Sequence, residues 1–211
     1  QRVFEESGVV LHAGRVDGRM KTGEPVGAKV DVERRFEIMR HHTATHILHR
    51  VLKAVLGEHV RQSGSLVLPG RLRFDFTHPE KVGSENLLRI EELVNRVVLS
   101  CAPVRKRWMR KEEALKKGAV AIFGEKYGEW VRVVSIESPE LEELGLSSVE
   151  LCGGTHLENT GQVGPFFVVS ESGVAAGIRR VEAVCGFSAL KFARRRFRVL
   201  ATTAETLKVP E

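Results

Sequence analysis

Cysteine is scarce in this chain, and that scarcity excludes one class of protein. Three cysteines, Cys101, Cys152 and Cys185, are spread over 211 residues. They are too few and too scattered for the disulfide framework of a small secreted domain, so we expect a reducing, cytoplasmic compartment. Long apolar runs are lacking too, since none approaches the roughly 20 residues that a membrane-spanning helix needs. The sequence therefore predicts a globular protein without a membrane segment.

A signal peptide, an internal repeat and a low-complexity stretch are also absent. The chain starts at Gln1 without a methionine, so we expect a fragment of a longer protein, and the missing signal carries little weight. With 42% hydrophobic and 28% charged residues, the chain has the composition of a globular protein, and its length suits one large or two small domains. Its formal charge of +6 favours a polyanionic partner such as RNA.

Two histidines lie four residues apart in a stretch with helical character. Residues 34–56 contain no glycine or proline, and their apolar residues recur with the period of a helix. Positions four apart share a helix face, so His42 and His46 should project side by side. Two such imidazoles can bind one divalent metal ion, although a histidine pair alone also occurs on ordinary polar helix faces.

A second cluster strengthens the hypothesis of a metal site. Cys152 and His156 offer a thiolate and a third imidazole on the glycine-rich stretch Cys-Gly-Gly-Thr-His. Together with His42 and His46 they form a set of four ligands that suits zinc. Two roles stay open for such a site. A zinc ion held by all four is usually structural, whereas a loose ligand or a fifth position lets the ion polarise a carbonyl or activate a water.

Helices and strands are interspersed without a regular βαβ alternation, which favours the α+β class. We expect residues 34–187 to form a mixed or antiparallel sheet with packed helices around the zinc site. Residues 1–33 are predicted to be part of a small β-barrel, with strands near 9–12, 14–18 and 28–32. Residues 188–211 are predicted to be a basic helical tail that leads to an absent C-terminal region.

Turn and cap signals give more local predictions. Pro69 and Gly70 predict the turn of a hairpin that has one apolar face, with Arg73 and Asp75 on the other face in cross-strand charge pairs. Ser84 is predicted to be the N-cap of a helix whose apolar stripe ends at a buried Cys101. Further predictions are an acidic loop at 137–143, and strands at 166–171 and 178–184 joined by a glycine-rich connection at 172–177.

The tail is rich in arginine with phenylalanine interleaved. Its basic residues are Lys191, Arg194, Arg195, Arg196 and Arg198, and its aromatic residues are Phe192 and Phe197. Such a run is either a solvated helix face or a contact with an RNA backbone.

Several stretches, taken together, resemble the editing domain of alanyl-tRNA synthetases. They are His-Thr-Ala-Thr-His at 42–46, Gln-x-Gly-Ser at 62–65, Leu-Arg-Phe-Asp-Phe at 72–76, Gly-Glu-Lys-Tyr at 124–127, Cys-Gly-Gly-Thr-His at 152–156 and the run at 171–183. They occur in the expected order over residues 34–187. Val174 departs from the family, which often has threonine there, and the glycine-rich start of the family's barrel is missing. Aminoacylation motifs are absent, so the chain should not charge tRNA by itself.

The resemblance implies a reaction and roles for individual residues. The reaction is hydrolysis of the ester in Ser-tRNA(Ala) and Gly-tRNA(Ala), with Ala-tRNA(Ala) spared. By resemblance His42, His46, Cys152 and His156 are zinc ligands. Thr45, next to a ligand, is our candidate for contacting the serine hydroxyl, and Gln62 is our candidate for lining the pocket. The acceptor end of tRNA(Ala) is the expected partner, bound by Arg179 and by Arg194, Arg195 and Arg196 in the tail.

Three alternatives remain at this point. Free-standing AlaX proteins share the metal motifs and deacylate tRNA in trans, and the threonyl-tRNA synthetase editing domain resembles them more distantly. A zinc-stabilised RNA-binding module without catalysis would show the same ligands. A zinc hydrolase of small esters is the weakest alternative, because Thr43 and Ala44 stand where a helical glutamate base would be expected.

Overall fold

The computed structural model describes residues 2–121 and 127–208, and the chain divides into two compact units, residues 1–31 and 32–211. The first unit contains one antiparallel hairpin of β1 (Arg2–Glu6) and β2 (Val9–Ala13). Ser7 and Gly8 form its turn, both with positive φ, which matches the twist of a tight hairpin.

The strands predicted near 14–18 and 28–32 are wrong, because residues 14–31 contain no strand. Their apolar side chains, such as Val16, Val26 and Val30, are half or more exposed, so the alternating pattern packs against nothing. A strand without a partner leaves its backbone groups unpaired, and an exposed apolar run does not compensate for the lost chain entropy. The predicted β-barrel is therefore not confirmed, and the described part of this unit is a two-stranded hairpin.

The described part of the second unit is an α+β structure with two antiparallel sheets, which confirms the predicted class. Its helices are α1 (Val32–Leu56), α2 (Ser84–Leu99), α3 (Lys111–Lys116), α4 (Pro139–Glu143) and α5 (Gly186–Leu207). Its strands are β3 (Gln62–Leu68), β4 (Arg71–Thr77), β5 (Val104–Arg110), β6 (Trp130–Ile136), β7 (Ser148–Leu151), β8 (Phe166–Ala175) and β9 (Ile178–Cys185). The sheet orders are β3-β4-β9-β8 and β5-β6-β7.

Helix α1 lies at the centre of this unit, in contact with α2 and with strands of both sheets. Its apolar residues Leu48, Val51 and Leu52 are fully buried, and they pack in the main core with Phe74 and Phe76 of β4. Almost every residue between 41 and 53 is buried, including three histidines and two threonines. A helix buried on most sides must satisfy its polar groups internally, so each of these side chains needs a specific partner.

Helix α2 covers β8, an edge strand of the four-stranded sheet. The side-chain amide of Asn95 donates to the carbonyl of Phe166 (2.8 Å) and accepts from its N–H (3.0 Å), as a neighbouring strand would. Glu91 likewise accepts from the N–H of Val168 (2.7 Å). Two polar side chains of α2 thus satisfy the edge strand β8, whose backbone groups would otherwise be buried without partners.

Two predictions for this helix are wrong. Its N-cap is Gly83 with a φ of 79°, not Ser84, because the chain enters the helix through a conformation that glycine adopts freely. Cys101 is exposed rather than buried. The helix ends at Leu99, and a left-handed φ of 49° at Cys101 turns its side chain away from the stripe that Val97 and Val98 continue into the core.

The hairpin at Pro69 and Gly70 is confirmed, and so is charge pairing on its polar side. Asp75 accepts two hydrogen bonds from Arg180 on β9, at 2.7 and 2.8 Å. The connection predicted at 172–177 is instead mostly strand, since β8 runs to Ala175 before a turn at Gly177. The acidic loop at 137–143 contains α4, whose N-cap Ser138 accepts from the N–H of Leu141.

Replacing Asn95 with leucine should destabilise the protein without changing its fold. The change leaves the buried N–H and C=O of Phe166 without their hydrogen-bond partner. Because an unsatisfied group costs about 1–3 kcal/mol, the free energy of unfolding should fall by about 2–4 kcal/mol. Urea denaturation followed by circular dichroism measures this. The exposed Glu92→Leu on the same helix is the control and should change stability by about 0.5 kcal/mol or less. Equal losses for the two variants would contradict the edge-covering role of Asn95.

Candidate metal centre

Four side chains from distant parts of the chain converge on one point. One potential ligand atom from each of His42, His46, Cys152 and His156 lies within 4.8 Å of the other three. Helix α1 supplies the first two, and the turn after β7 supplies the others. Sequence reasoning predicted this set, and the fold brings all four members together.

The helical spacing sets the geometry on the α1 side. The rings of His42 and His46 lie one turn apart and stack with centroids 5.4 Å apart. His156 approaches both, at centroid distances of 4.1 Å from His42 and 4.9 Å from His46. The Cys152 sulfur is 3.2 Å from Nε2 of His156 and 3.4 Å from Nε2 of His42. His46 and His156 are buried, whereas His42 and Cys152 are half-buried, so the cluster is reached from the side of the latter two.

The two glycines of the turn are not equivalent. A Cβ atom at Gly154 would lie 2.1 Å from Cε1 of His42, a distance that no side chain can occupy. A Cβ at Gly153 would meet no atom within 4 Å. Gly154 therefore permits the close approach of the turn to His42, while the space beside Gly153 is open.

A carboxylate that sequence reasoning missed stands behind the cluster. Glu150 is buried, and its two oxygens contact Nδ1 of His46 (2.6 Å) and Nδ1 of His49 (3.0 Å). Ser148 donates to the same carboxylate at 3.2 Å. A carboxylate on the second nitrogen of a metal-binding histidine fixes its ring and raises its basicity. Two signals could have found it, because Glu150 precedes Cys152 by two in a strand and His49 follows His46 by three in a helix.

Thr43 orients the third imidazole. Its hydroxyl lies 3.3 Å from Nδ1 of His156 and accepts from the N–H of Leu157 at 3.2 Å. Because Nδ1 is engaged there, Nε2 of His156 faces the Cys152 sulfur. Neighbouring His41 has a different role. Nδ1 of His41 bonds to the Glu37 carbonyl and its Nε2 accepts from the N–H of Cys185, so it is a structural histidine in the core.

The charges of the cluster are coupled. Burial opposes protonation of His46, but the Glu150 carboxylate and the Cys152 thiolate outweigh burial and raise the pKa of His46 to about 10. Burial likewise opposes ionisation of Cys152, yet hydrogen bonds from His156 and His42 lower its pKa to about 3. Burial lowers the pKa of His156 to about 4. The pKa of Glu150 is held well below its usual range, since His46 and His49 outweigh the effect of burial.

This donor set fits a metal ion. Cys152 is already a thiolate at neutral pH and His156 is neutral, which are the forms that bind metals. Nδ1 of His46 is taken by Glu150, and its buried Nε2 has no hydrogen-bond partner. A divalent cation in the cluster would satisfy that nitrogen and offset both buried anions, of which the His46 proton offsets one. The four residues could therefore hold a metal ion with Glu150 and Thr43 supporting them.

The remaining predicted site residues lie on several different helices and strands. Thr45 is buried on α1, and its hydroxyl donates to the carbonyl of His41 at 2.8 Å. Gln62 begins β3 in the four-stranded sheet, and its side-chain amide donates to the hydroxyl of Ser65. Arg179 on β9 forms an ion pair with Glu171. In α5, Arg194, Arg195 and Arg196 are exposed, the last over the ring of Phe192 at 5.0 Å. Of the motif at 124–127, only Tyr127 falls within the described residues.

The described helices include none that combines the length and the apolar character needed to cross a membrane.

The sequence is similar to known tRNA synthetases, and the similar region includes residues of the metal cluster. Residues 131–182, which include Cys152 and His156, match the family described as the threonyl and alanyl tRNA synthetase second additional domain. The alanine–tRNA ligase of Thermus thermophilus is 55% identical over 207 residues, which are 98% of this chain and 23% of the ligase.

Two further relatives give the same result. The alanine–tRNA ligase of Thermotoga maritima is 49% identical over 211 residues, which are 99% of this chain and 24% of the ligase. That of a Chelativorans species is 49% identical over 205 residues, 96% of this chain and 23% of the ligase. The chain thus spans about a quarter of the length of these relatives. The chain is therefore similar over nearly its whole length to one segment of the alanyl-tRNA synthetases, and the resemblance to the editing domain of that family is confirmed.

Proposed function

We propose that this chain hydrolyses the ester bond of mischarged tRNA(Ala), releasing serine or glycine while sparing Ala-tRNA(Ala). The observation that carries the proposal is the convergence of His42, His46, Cys152 and His156 in a chain homologous to alanine–tRNA ligases. The cluster is half open on the side of His42 and Cys152, where a substrate can approach it.

The limits of molecular recognition explain why such an activity is needed. A synthetic site shaped for alanine cannot exclude glycine, which is smaller by one methyl group. It also rejects an added hydroxyl poorly, by only about a hundredfold in comparable hydrophobic pockets. A second site must therefore recognise the wrong amino acid after it has been attached to tRNA.

We propose zinc as the metal. One thiolate and three imidazoles are the ligands that zinc prefers in tetrahedral sites. When bound, a zinc ion supplies electrostatic polarisation of a carbonyl or a water. Glu150 fixes the ring of His46 and Thr43 fixes the ring of His156, so the donors are held in position by the protein itself.

A side chain that attacks the ester directly is not found among the described cysteines. Burial raises the pKa of the Cys185 thiol, which makes it a poor nucleophile. Cys101 is exposed, and among the described residues no base forms a hydrogen bond with its thiol. Cys152 belongs to the metal cluster. The attacking group that we propose is therefore a water bound between the cluster and the 3′ end of the tRNA.

Thr45 is the proposed reader of the serine hydroxyl. Its own hydroxyl proton is committed to the carbonyl of His41, which leaves the oxygen as an acceptor for a substrate hydroxyl. We keep Gln62 as a proposed pocket residue, held in place by Ser65. For tRNA(Ala) we propose contacts from Arg179 and from Arg194, Arg195 and Arg196, with the tail arginines adding salt-dependent affinity because they are exposed.

Residues 34–187 are the proposed editing domain, between the N-terminal segment and the basic tail at 188–211. The relatives are full ligases rather than free-standing deacylases, so we favour a synthetase segment over an AlaX-type protein. The other domains of the synthetase are then its proposed partners. A non-catalytic zinc-stabilised RNA-binding module remains the rival, and the variant Cys152→Ala separates the two.

The chain, loaded with zinc and given labelled Ser-tRNA(Ala), Gly-tRNA(Ala) and Ala-tRNA(Ala), should deacylate the first two much faster than the third. The thiolate of Cys152 completes the donor set, so Cys152→Ala should lose deacylation, by about tenfold or more. Release of the labelled amino acid measures the rates.

Circular dichroism and RNA affinity are measured on the same variant. Cys152→Ala that keeps its fold and its RNA affinity but not deacylation rules out the non-catalytic module. Equal rates on the three substrates with zinc bound would contradict the editing proposal.

Glu150→Gln should weaken zinc binding about 10–100-fold, the usual effect of losing a carboxylate behind a histidine ligand. The glutamine keeps the size of the side chain but cannot hold His46 as strongly or balance its charge. Competition with a chromophoric chelator measures the affinity. Glu142→Gln, at an exposed position, is the matched control and should bind zinc as the parent chain does. Unchanged affinity in Glu150→Gln would show that its carboxylate does not support the ligands.

Thr45→Val should slow deacylation of Ser-tRNA(Ala) by about tenfold, the effect of one lost hydrogen bond. Valine keeps the shape of threonine, so the helix and the neighbouring ligands should not move. Gly-tRNA(Ala) is the internal control, because glycine has no hydroxyl to be recognised and its rate should stay within about twofold. Parallel losses on both substrates would assign Thr45 a structural role instead.

A further inference from the structure

The chain has only two tryptophans, and both lie on its surface. Trp108 on β5 is 67% exposed and Trp130 at the start of β6 is 57% exposed. Large aromatic side chains usually bury most of their area in a core or an interface. Both residues belong to the three-stranded sheet, and neither is used by the proposed chemistry.

Strand register places both tryptophans on one face of this sheet. Trp108 pairs directly with Arg132, and the next pair on that face is Arg110 with Trp130. Directly opposite residues in an antiparallel pair share a face, so these four side chains form a patch of alternating aromatic and guanidinium groups. The Arg110 guanidinium lies 5.9 Å from the centroid of the Trp130 ring.

This patch, which we call the tryptophan–arginine patch (Trp108, Arg110, Trp130 and Arg132), adjoins the metal cluster. The N–H of Cys152 donates to the carbonyl of Arg132 at 3.0 Å, and the Arg132 guanidinium donates to the carbonyl of Gly154. Trp108, Arg132 and Cys152 therefore lie in one row across the three strands. Since neighbouring strands are roughly 4.8 Å apart, the backbones of Trp108 and Cys152 are about 10 Å apart across the sheet.

The charge of this region suits a polyanion. Strand β5 has the sequence Val-Arg-Lys-Arg-Trp-Met-Arg. Arg105 and Arg107, on the opposite face of β5, form no ion pair within the described residues. Arg110 pairs with Glu129, but both side chains are about two-thirds exposed, so that pair is weak and can yield to a phosphate. An edge strand with this composition presents positive charge beside two open aromatic rings.

We propose that the tryptophan–arginine patch binds the single-stranded 3′ end of an RNA, with bases stacked on Trp108 and Trp130. Aromatic rings next to guanidinium groups are the usual surface for unpaired bases, because every base has a face that can stack and every nucleotide carries a phosphate. A strand on this patch runs along the row to Arg132 and reaches the turn that carries Cys152. The proposal rests on the editing function, for which it names the surface that directs the acceptor end to the cluster.

Intrinsic fluorescence tests the proposal directly, since both fluorophores are in the patch. The probe is a short single-stranded RNA that ends in the CCA sequence of tRNA. Trp108→Phe and Trp130→Phe each leave one tryptophan, and the RNA should quench the emission of both variants. A blunt RNA hairpin without the unpaired end should quench neither. Absence of quenching by the single-stranded RNA would overturn the proposal.

Affinity for the same RNA, labelled and followed by anisotropy, gives a second measurement. Trp108→Ala combined with Trp130→Ala should weaken binding by about tenfold or more, whereas the two phenylalanine changes together should stay within a few-fold of the parent chain. Phe187→Ala, at a similarly exposed aromatic position that precedes the basic tail, is the matched control and should bind normally. Unchanged affinity in the double alanine variant would overturn the proposal and leave the patch as a contact for a protein.

Deacylation separates this inference from the function on which it rests. With Ser-tRNA(Ala), the double alanine variant should raise KM by about tenfold while kcat and zinc content stay near those of the parent chain. A parent chain that binds RNA through the tryptophans but deacylates nothing would contradict the editing function alone. A parent chain that edits, with a double variant whose RNA affinity and KM are both normal, would contradict the patch alone.

Discussion

One buried carboxylate holds the two halves of the metal cluster together. Glu150 on β7 contacts His46 and His49, which lie one turn apart on α1, and it does so inside the protein where an unpaired anion would be very unfavourable. Because Cys152 follows Glu150 by two residues, directly after the end of β7, the contact that fixes β7 against α1 also fixes the thiolate. The position of the helix, the strand and the ligand is thus a consequence of one network of charged hydrogen bonds.

Neighbouring residues hold the three imidazoles of the cluster in position. Thr43 holds one nitrogen of His156, Glu150 holds one nitrogen of His46, and Gly154 leaves the space that His42 fills. Each imidazole is therefore oriented before any ion arrives, which lowers the entropic cost of binding it. The proton on His46 offsets one of the two buried negative charges, on Glu150 and Cys152, and a divalent ion that displaced it would offset both.

The sequence predicts the ligands well because their spacing is local. His42 and His46 need only a helix to share a face, and Cys152 and His156 need only a short turn. The supporting Glu150 was equally accessible through strand periodicity, but its partner His49 had no recognisable motif around it. The failed predictions depended on partners instead. Residues 14–31 have strand-like patterns without a neighbouring strand, and Cys101 lies two residues beyond the end of the helix whose apolar stripe it was predicted to finish. Local sequence periodicity predicts neither outcome.

One face of the three-stranded sheet carries the proposed RNA-binding tryptophans and leads to Cys152 of the metal cluster. Towards one end of that face, Val104, Val134 and Ile136 pack in the main core, and Glu150 pairs beside Val134. Towards the other end the core stops, and the same face continues with the half-buried Arg132 and the exposed Trp108 and Trp130. A sheet that must be rigid to hold Cys152 thereby fixes the distance from the cluster to the aromatic rings as well. A loop could not maintain that distance, since its backbone lacks the ladder of hydrogen bonds that joins β5 to β6 and β6 to β7.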